Sequence, residues 1–350
     1  MHCTLLIPGL LPAHGPLAEE AARVAAELRL PALERLLARG RRSEQAGLGM
    51  ERWLLEACGA EEDAELPAGA LSRRADALTG ATHAGAASDD TAVWMRADPV
   101  HLRLNRDQLL LIPASMFGVQ RAEAERLVEA LNRHFAGQLS FFPLHPERWC
   151  VRVEAGLADA AGGLRTHTLA ETAGRDVNPR LPAGPQAMRW HRLLNELQML
   201  LHAEAVNDER EARGEPAVNS VWLWGAGALP ANLAAPWQTI TAEDALARGL
   251  AQACGLRHRE PPADARQWLE RMPEAGRHLL VLDALRARWR WATWKSGARD
   301  WNRWSWPGSR RCSPPCNPGA WACSRWRPAT KRRASRSRPR AATCAASGAA

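Results

Sequence analysis

The chain predicts an α/β protein carrying a small α+β insertion, and three features of the sequence say so. Short apolar runs of strand type alternate with segments of helical period along most of its length. One of those runs, Val218 to Trp224, empties into Gly225-Ala226-Gly227, which is how α/β proteins let backbone approach a ligand. A block over residues 91–155 follows a β-α-β-β order unlike its surroundings.

Taken in order, Leu5 to Leu11 is apolar but broken by Pro8 and Gly9. Without a basic leader it reads as a first strand over residues 3–7, and not as a signal peptide. Pro16 to Arg39 has helical spacing with a break at Pro31, and Met50 to Cys58 is a second helix with Trp53 and Leu54 inward. Glu61 to Ser72 is acidic and contains Pro67 and Gly69, so a loose segment is expected, and Gly80 to Asp90 reads as a loop of small residues.

The insertion then opens with strands at Ala92–Met95 and Val100–Leu104 around Ala97-Asp98-Pro99, followed by a strand at Leu109–Ile112. Arg121 to Phe135 places Ala124, Leu127, Val128, Leu131 and Phe135 on one stripe of a helix. Leu139–Phe142 and Trp149–Glu154 form a hairpin around His145-Pro146-Glu147-Arg148.

After a connector over Leu164–Ala183 comes the longest helix, Gln186 to Val206. A strand follows at Val218–Trp224, then a helix over Ala242–Cys254 with Thr241 as N-cap, a short helix at Arg266–Arg271 and a buried strand at His278–Leu282. The expected organisation is a discontinuous core over 1–90 and 156–300, the insertion at 91–155, and a tail over 301–350.

The net charge of +8 belongs to that tail. From Arg299 onward there are twelve Lys/Arg and one acid, which leaves 34 basic and 37 acidic residues in the body. A nucleic-acid role inferred from overall charge would therefore misplace the partner. Cys3, Cys58, Cys150 and Cys254 are scattered singly, as in a reduced cytoplasmic protein, and no apolar run is long enough to span a membrane.

Asn302 to Ala350 contains no Leu, Ile, Val, Phe, Met, Asp or Glu and is expected to be disordered. It reads as a shifted frame of a GC-rich gene, as a basic arm with Trp321 and Trp326 for stacking on nucleic acid, or as a zinc site at Cys312 and Cys316 that lacks a second close pair.

Several residues have the chemistry of a site. Asn207, Arg210 and Asn219 bracket Gly225 and Gly227 and could contact a phosphate or carboxylate ligand; equally, they could cap and tether loops. Asp98 and His101 could form an acid/base pair, and Arg96 and Arg103 could grip an anion, against readings as turn cap and surface charge. His191, Asn195 and His202 share a helix face that is either a cleft wall or a solvated surface. His145, Glu147, Asp89 and Asp90 have the same two readings, with turns the simpler one.

The set Asn207, Arg210, Gly214, Asn219, Gly225 and Gly227, in its order of elements, resembles the archaeal-type cofactor-independent phosphoglycerate mutases of the alkaline-phosphatase superfamily. The body as a whole, roughly residues 3–300, is similar to a proteobacterial group of phosphoglycerate mutase-like or RpfE-type regulatory proteins. The resemblance implies an alkaline-phosphatase-superfamily-like core and, in a working mutase, two divalent ions (manganese or magnesium) held by Asp and His, with a nucleophilic serine.

Those residues are not where the resemblance would put them. The first strand ends Leu6-Ile7-Pro8-Gly9, and the first Asp in the chain is Asp63. Thr79, Thr82, His83 and Ser88 fall in no matching nucleophile motif; of the late Asp/His group implied after the strand at 279–282, Asp283 is present, but His278 is the last histidine. A diverged, non-catalytic protein with a regulatory or binding role and no cofactor is expected. The alternatives are a metal-dependent mutase or phosphohydrolase with a rearranged site, and a nucleic-acid-associated factor acting through the tail.

Overall fold

The computed structural model describes residues 1–10, 31–43, 49–61, 65–77, 90–105, 107–272, 275–283 and 344–345. Their elements, in chain order, are β1 (His2–Leu6), α1 (Pro31–Arg39), α2 (Met50–Glu56), α3 (Ala68–Ala77), β2 (Val93–Asn105), β3 (Gln108–Pro113), α4 (Arg121–His134), β4 (Leu139–His145), β5 (Arg148–Val153), α5 (Ala155–Ala161) and α6 (Leu169–Thr172). They continue with α7 (Ala187–His202), α8 (Ala205–Ala212), β6 (Ser220–Gly227), β7 (Thr239–Thr241), α9 (Ala245–Ala253), β8 (Arg257–Arg259), α10 (Ala265–Arg271), β9 (Arg277–Val281) and β10 (Cys344–Ala345). The fold is mixed α/β, with one parallel and one antiparallel sheet, and the chain divides into two compact units.

The first unit comprises Met1–Met50, Pro236–Glu243 and Leu256–Ala350. Its sheet runs β10-β1-β9-β7-β8, with every pair parallel. Trp268 of α10 and Met272, its C-cap, pack on Leu280 with Cys3 and Leu5 beside them. Buried hydroxyls satisfy the indoles: Trp237 Nε1 donates to Thr4 Oγ1 (3.2 Å) and Trp268 Nε1 to Thr241 Oγ1 (3.1 Å). β7 and β8, three residues each, are too short to leave a period in the sequence.

The second unit comprises Glu51–Ala235 and Asp244–Gly255. Its sheet is antiparallel, in the order β3-β2-β5-β4, and β6 lies along the other edge of β2. Arg96 pairs with both Cys150 and Trp224, and Val100 with both Pro113 and Ser220. β5 and β3 therefore follow one another along one edge of β2 while β6 covers the opposite edge. Pro99 falls in the gap between β5 and β3, where its missing N–H leaves no ladder bond unmade on that side.

Alternation along the strands sorts the two faces. Met95, Ala97, Val151, Val153, Val221 and Leu223 enter the main core with Leu127 and Leu131 of α4 and with Trp190, Leu194 and Leu197 of α7. Trp94, Arg96, Asp98, Cys150 and Trp224 stand on the opposite face, where Ala70 of α3 joins Trp94 and Cys150.

Several expectations need correction. Residues 68–77, within and beyond the segment expected to be loose, form a buried helix. Pro67 precedes its first turn, and Gly69 has no side chain because a Cβ there would lie 2.4 Å from Met95 Cα. The two strands expected around Asp98 are one strand, β2. The long helix expected to Val206 stops at Ala203 and restarts as α8 after the N-cap Glu204. The α+β block does not close on itself at residue 155, because β2 needs β6 as its second neighbour and α7 covers the same core. Asp244, not Thr241, caps α9 through its side chain. The expected tail lies outside the described residues except Cys344–Ala345, which pair in parallel with Leu5 and Leu6 and so depart from an unstructured tail.

Candidate functional site

The glycine turn and its polar neighbours are built into the second unit as tethers. Asn207, buried in the first turn of α8, donates from Nδ2 to the carbonyls of Leu201 (2.7 Å) and Val218 (3.0 Å). Its Oδ1 accepts from the Val218 N–H (2.7 Å). The amide thus clips the end of α7 to the approach of β6. Asn219 does the same between strands: Leu102 N donates to its Oδ1 (2.7 Å) and its Nδ2 to Leu102 O (2.9 Å). Arg210 is buried against Phe117, donating from Nε to Pro216 O (2.8 Å), from Nη2 to Gly118 O (2.9 Å), and from Nη1 to Glu123 at 2.5 Å.

The glycines receive the chain's own backbone. Gly225 and Gly227 belong to β6 and not to a turn after it. Gly225 has φ 69°, and a Cβ on it would come 2.6 Å from Ala68 Cβ and 3.1 Å from Leu66 O. A Cβ on Gly227 would meet Pro67 Cβ at 3.0 Å. The Gly225 N–H donates to Thr166 Oγ1 (2.9 Å), whose hydroxyl in turn donates to Glu65. Burial pushes the Glu65 carboxyl above its ordinary range, against the lowering effect of that bond.

The densest polar constellation is the layer between α3 and the sheet. Arg96 and Asp98, two apart on β2, form a buried ion pair. Trp224 Nε1 donates to the other Asp98 oxygen (2.7 Å), and the Arg96 guanidinium lies 5.5 Å from the Trp224 ring. Burial alone would lower the pKa of Arg96, but the charge and hydrogen bond of Asp98, with Cys150 and Asp76, together outweigh it and leave the group above its ordinary value.

Beside this pair, Arg148 donates to Asp76 (Nη2 2.9 Å, Nε 3.3 Å), and Arg73 reaches Asp90 while lying 4.7 Å from the Trp94 ring. Each of these guanidiniums faces a carboxylate of the same layer, so the layer is neutralised from within. Cys150, between them, is pushed up to about 12 by burial, despite the opposing pull of Arg96, and is an inert thiol.

The remaining candidates do not converge. Asp98 and His101 are three apart on one strand and project to opposite faces, so no acid/base pair forms. His101 instead bonds through Nδ1 to Ala217 O (2.8 Å), and Arg103 is exposed. His191 is taken by Pro182 O (Nε2, 2.8 Å), while Asn195 and His202 are exposed on the same helix. His145 Nδ1 accepts from the Glu147 N–H (3.1 Å), and burial, helped by Arg148, lowers its pKa to about 4. Thr79, Thr82, His83, Ser88, Asp89, Cys312 and Cys316 lie outside the described residues. The Arg73, Asp76 and Arg148 pairings were missed from sequence. Their signal was the charge within Ser72-Arg73-Arg74-Ala75-Asp76, a segment that begins where the expected loose stretch ends and was given no element.

In the first unit, β1 leaves the sheet through Leu6-Ile7-Pro8-Gly9, none of them an acid. β9 leaves through Leu282 and Asp283. His278 is the second residue of β9, so about 3.3 Å per residue puts it roughly 16 Å from Asp283, toward the opposite end of the strand. It is fully buried, and among the described residues neither ring nitrogen has a hydrogen-bond partner. Among the described residues, no group of three or more His, Cys, Asp and Glu side chains could hold a metal ion.

No protein-family model matches the chain. It is 27% identical over 139 residues to a probable 2,3-bisphosphoglycerate-independent phosphoglycerate mutase of Geobacter sulfurreducens, covering 39% of this chain and 34% of that one. It is 26% identical over 113 residues to a 2,3-bisphosphoglycerate-independent phosphoglycerate mutase of Methanosarcina barkeri, covering 32% and 28%. The chain thus spans about a third of the length of these curated relatives, and distant homology to such mutases is supported over that part. Among solved structures it is similar to the PH0037 protein from Pyrococcus horikoshii (TM-score 0.47, 13% identity, 85% and 77% coverage). A second is the cofactor-independent phosphoglycerate mutase from Thermoplasma acidophilum (TM-score 0.36, 16% identity, 84% and 80% coverage).

Proposed function

We propose that this is a mutase-like protein that has kept a scaffold and given up phosphoryl transfer, acting in a regulatory or binding role like the RpfE-type group it resembles. The observation that carries the reading is the carboxyl end of β1, where Leu6, Ile7, Pro8 and Gly9 offer no carboxylate to a divalent ion. His278 stands at the wrong end of β9 to share an ion with Asp283, Asp98 and Asp76 are taken by arginines, and Glu65 beside Gly225 is taken by Thr166. A paired-ion centre therefore does not fit the described residues.

The homology supports the scaffold half of the proposal and equally supports mutase as the activity, should there be one. The test is interconversion of 3- and 2-phosphoglycerate by the full chain with added manganese or magnesium, before and after a chelator. The expected result is a rate indistinguishable from buffer in both arms. Turnover that the chelator abolishes would establish the metal-dependent mutase instead.

A further inference from the structure

Helix α7 carries a second stripe besides the one it gives to the core. Trp190, Leu193, Leu194, Leu197 and Leu201 are buried in the main cluster. Met188, Arg192, Asn195, Met199 and His202 are all exposed. Their spacing of four, three, four and three residues is that of a coiled-coil seam. The two methionines stand 64% and 75% exposed, on a helix whose leucines are all buried or half-buried. Unbranched thioethers left in water on a seam of this period are suited to pack against a partner surface.

We infer that α7 is a dimerisation face, on which a second copy of this chain lies antiparallel about a two-fold axis through Asn195.

The order of residues along the stripe selects this occupant and this direction. Met188 and His202 each lie seven residues from Asn195, ~10.5 Å along the axis, and His191 and Met199 each lie four, ~6 Å. A two-fold axis at Asn195 therefore sets Met188 against the partner's His202, and Met199 against the partner's His191, so that each thioether meets an imidazole ring. The His191 ring is already fixed by its bond to Pro182 O (2.8 Å).

Charge agrees with this direction. Arg192 lies on the amino-terminal side of Asn195 and Glu196 on the carboxy-terminal side, so the antiparallel pair brings Arg192 within ~3 Å, along the axis, of the partner's Glu196. The Glu196 side chain is 53% exposed and His134 Nε2 stands 3.9 Å from it, which leaves room for that approach. A parallel pair would instead place Arg192 on the partner's Arg192. Asn195 faces its own copy, where two amides satisfy one another and a polar residue in the seam fixes register. The 16 residues of α7 span ~24 Å, so one helix face buries less than the ~1,200 Å² of a standard interface, and the dimer is weak and reversible.

The test is sedimentation velocity of the full chain from low-micromolar to near-millimolar concentration. The expected result is a monomer that converts reversibly to a dimer as concentration rises. Arg192→Glu and Glu196→Arg should each weaken the dimer about tenfold or more, since symmetry counts each like-charge contact twice, and the double swap should restore it. Oxidative cross-linking reads the geometry. In Asn195→Cys, tryptic peptide 193–210, which holds no native cysteine, should appear joined to a second copy of itself. In Met188→Cys with His202→Cys, peptide 181–189 should be joined to peptide 193–210; within one chain those positions are about 21 Å apart, beyond the reach of a disulfide. A chain that stays monomeric throughout would overturn the inference. So would a dimer without the link at residue 195, a link of residue 188 to residue 188, or a double swap no better than its singles. The wild-type sedimentation decides the first of these even if a variant does not fold.

Discussion

Replacing Asp98 with Ala is the sharpest probe of the charged layer, because it separates a structural carboxylate from a catalytic one. Asp98 is wholly buried and the Arg96 side chain is 7% exposed. Truncation strands the guanidinium in the interior, which costs about 3–5 kcal/mol. It also removes the acceptor of the Trp224 indole N–H, an unsatisfied buried donor worth about 1 kcal/mol more. Against a typical total of ~5–15 kcal/mol, that is about a quarter or more of the stability of the unit.

The paired replacement Arg96→Met with Asp98→Leu should recover most of the loss, since an apolar pair leaves no charge behind. Urea denaturation, with hydrogen exchange at β2 and β6 to localise the effect, measures both. An Asp98→Ala penalty below about 1 kcal/mol, or a double variant no better than the single one, would show that the layer is not held by this pair.

Two further outcomes are expected. Gly249→Ala must displace α9 from the Leu71 carbonyl and should destabilise the second unit by about 1–3 kcal/mol. Gly156→Ala, which meets nothing within 4 Å, should be neutral or mildly stabilising in the same denaturation assay. For His145, burial first and then Arg148 bring the folded pKa down to about 4, from an ordinary value of ~6.5. The unfolded chain then binds more protons between those values, so this stability is fully present above pH ~6.5 and is lost as pH falls toward 4. The melting temperature of wild type minus that of His145→Gln should decline over that window and be flat above it.

What the sequence made legible was periodic. The α4 stripe, the β4–β5 hairpin and the apolar run of β6 each repeat within one element, and each was placed to within a few residues. What it hid was partnership between elements. β6 read as an isolated strand feeding a ligand turn because nothing local reports that its neighbour is β2, over a hundred residues earlier. The first half of α3, to Ser72, read as a loose segment because Pro67 and Gly69 are the signals of one. In the folded chain Gly69 lets the helix touch the backbone of β2, while Gly225 of β6 and Gly249 of α9 let those elements approach it in turn.

This bears on what the family resemblance reports. Asn207, Arg210, Asn219, Gly225 and Gly227 are the residues on which the resemblance was read, and in this chain they tie α7, α8, β2 and β6 together and admit α3. The metal-holding acids that the resemblance implies would belong to strand ends of the other unit, and the residues after β1 include no acid. A chain whose matching residues are tethers can keep its fold under selection for stability alone while the strand ends drift. Sequence similarity of this kind therefore measures descent of the scaffold and is silent on turnover, which is why the chelator arm of the phosphoglycerate assay carries more weight than any closer alignment would.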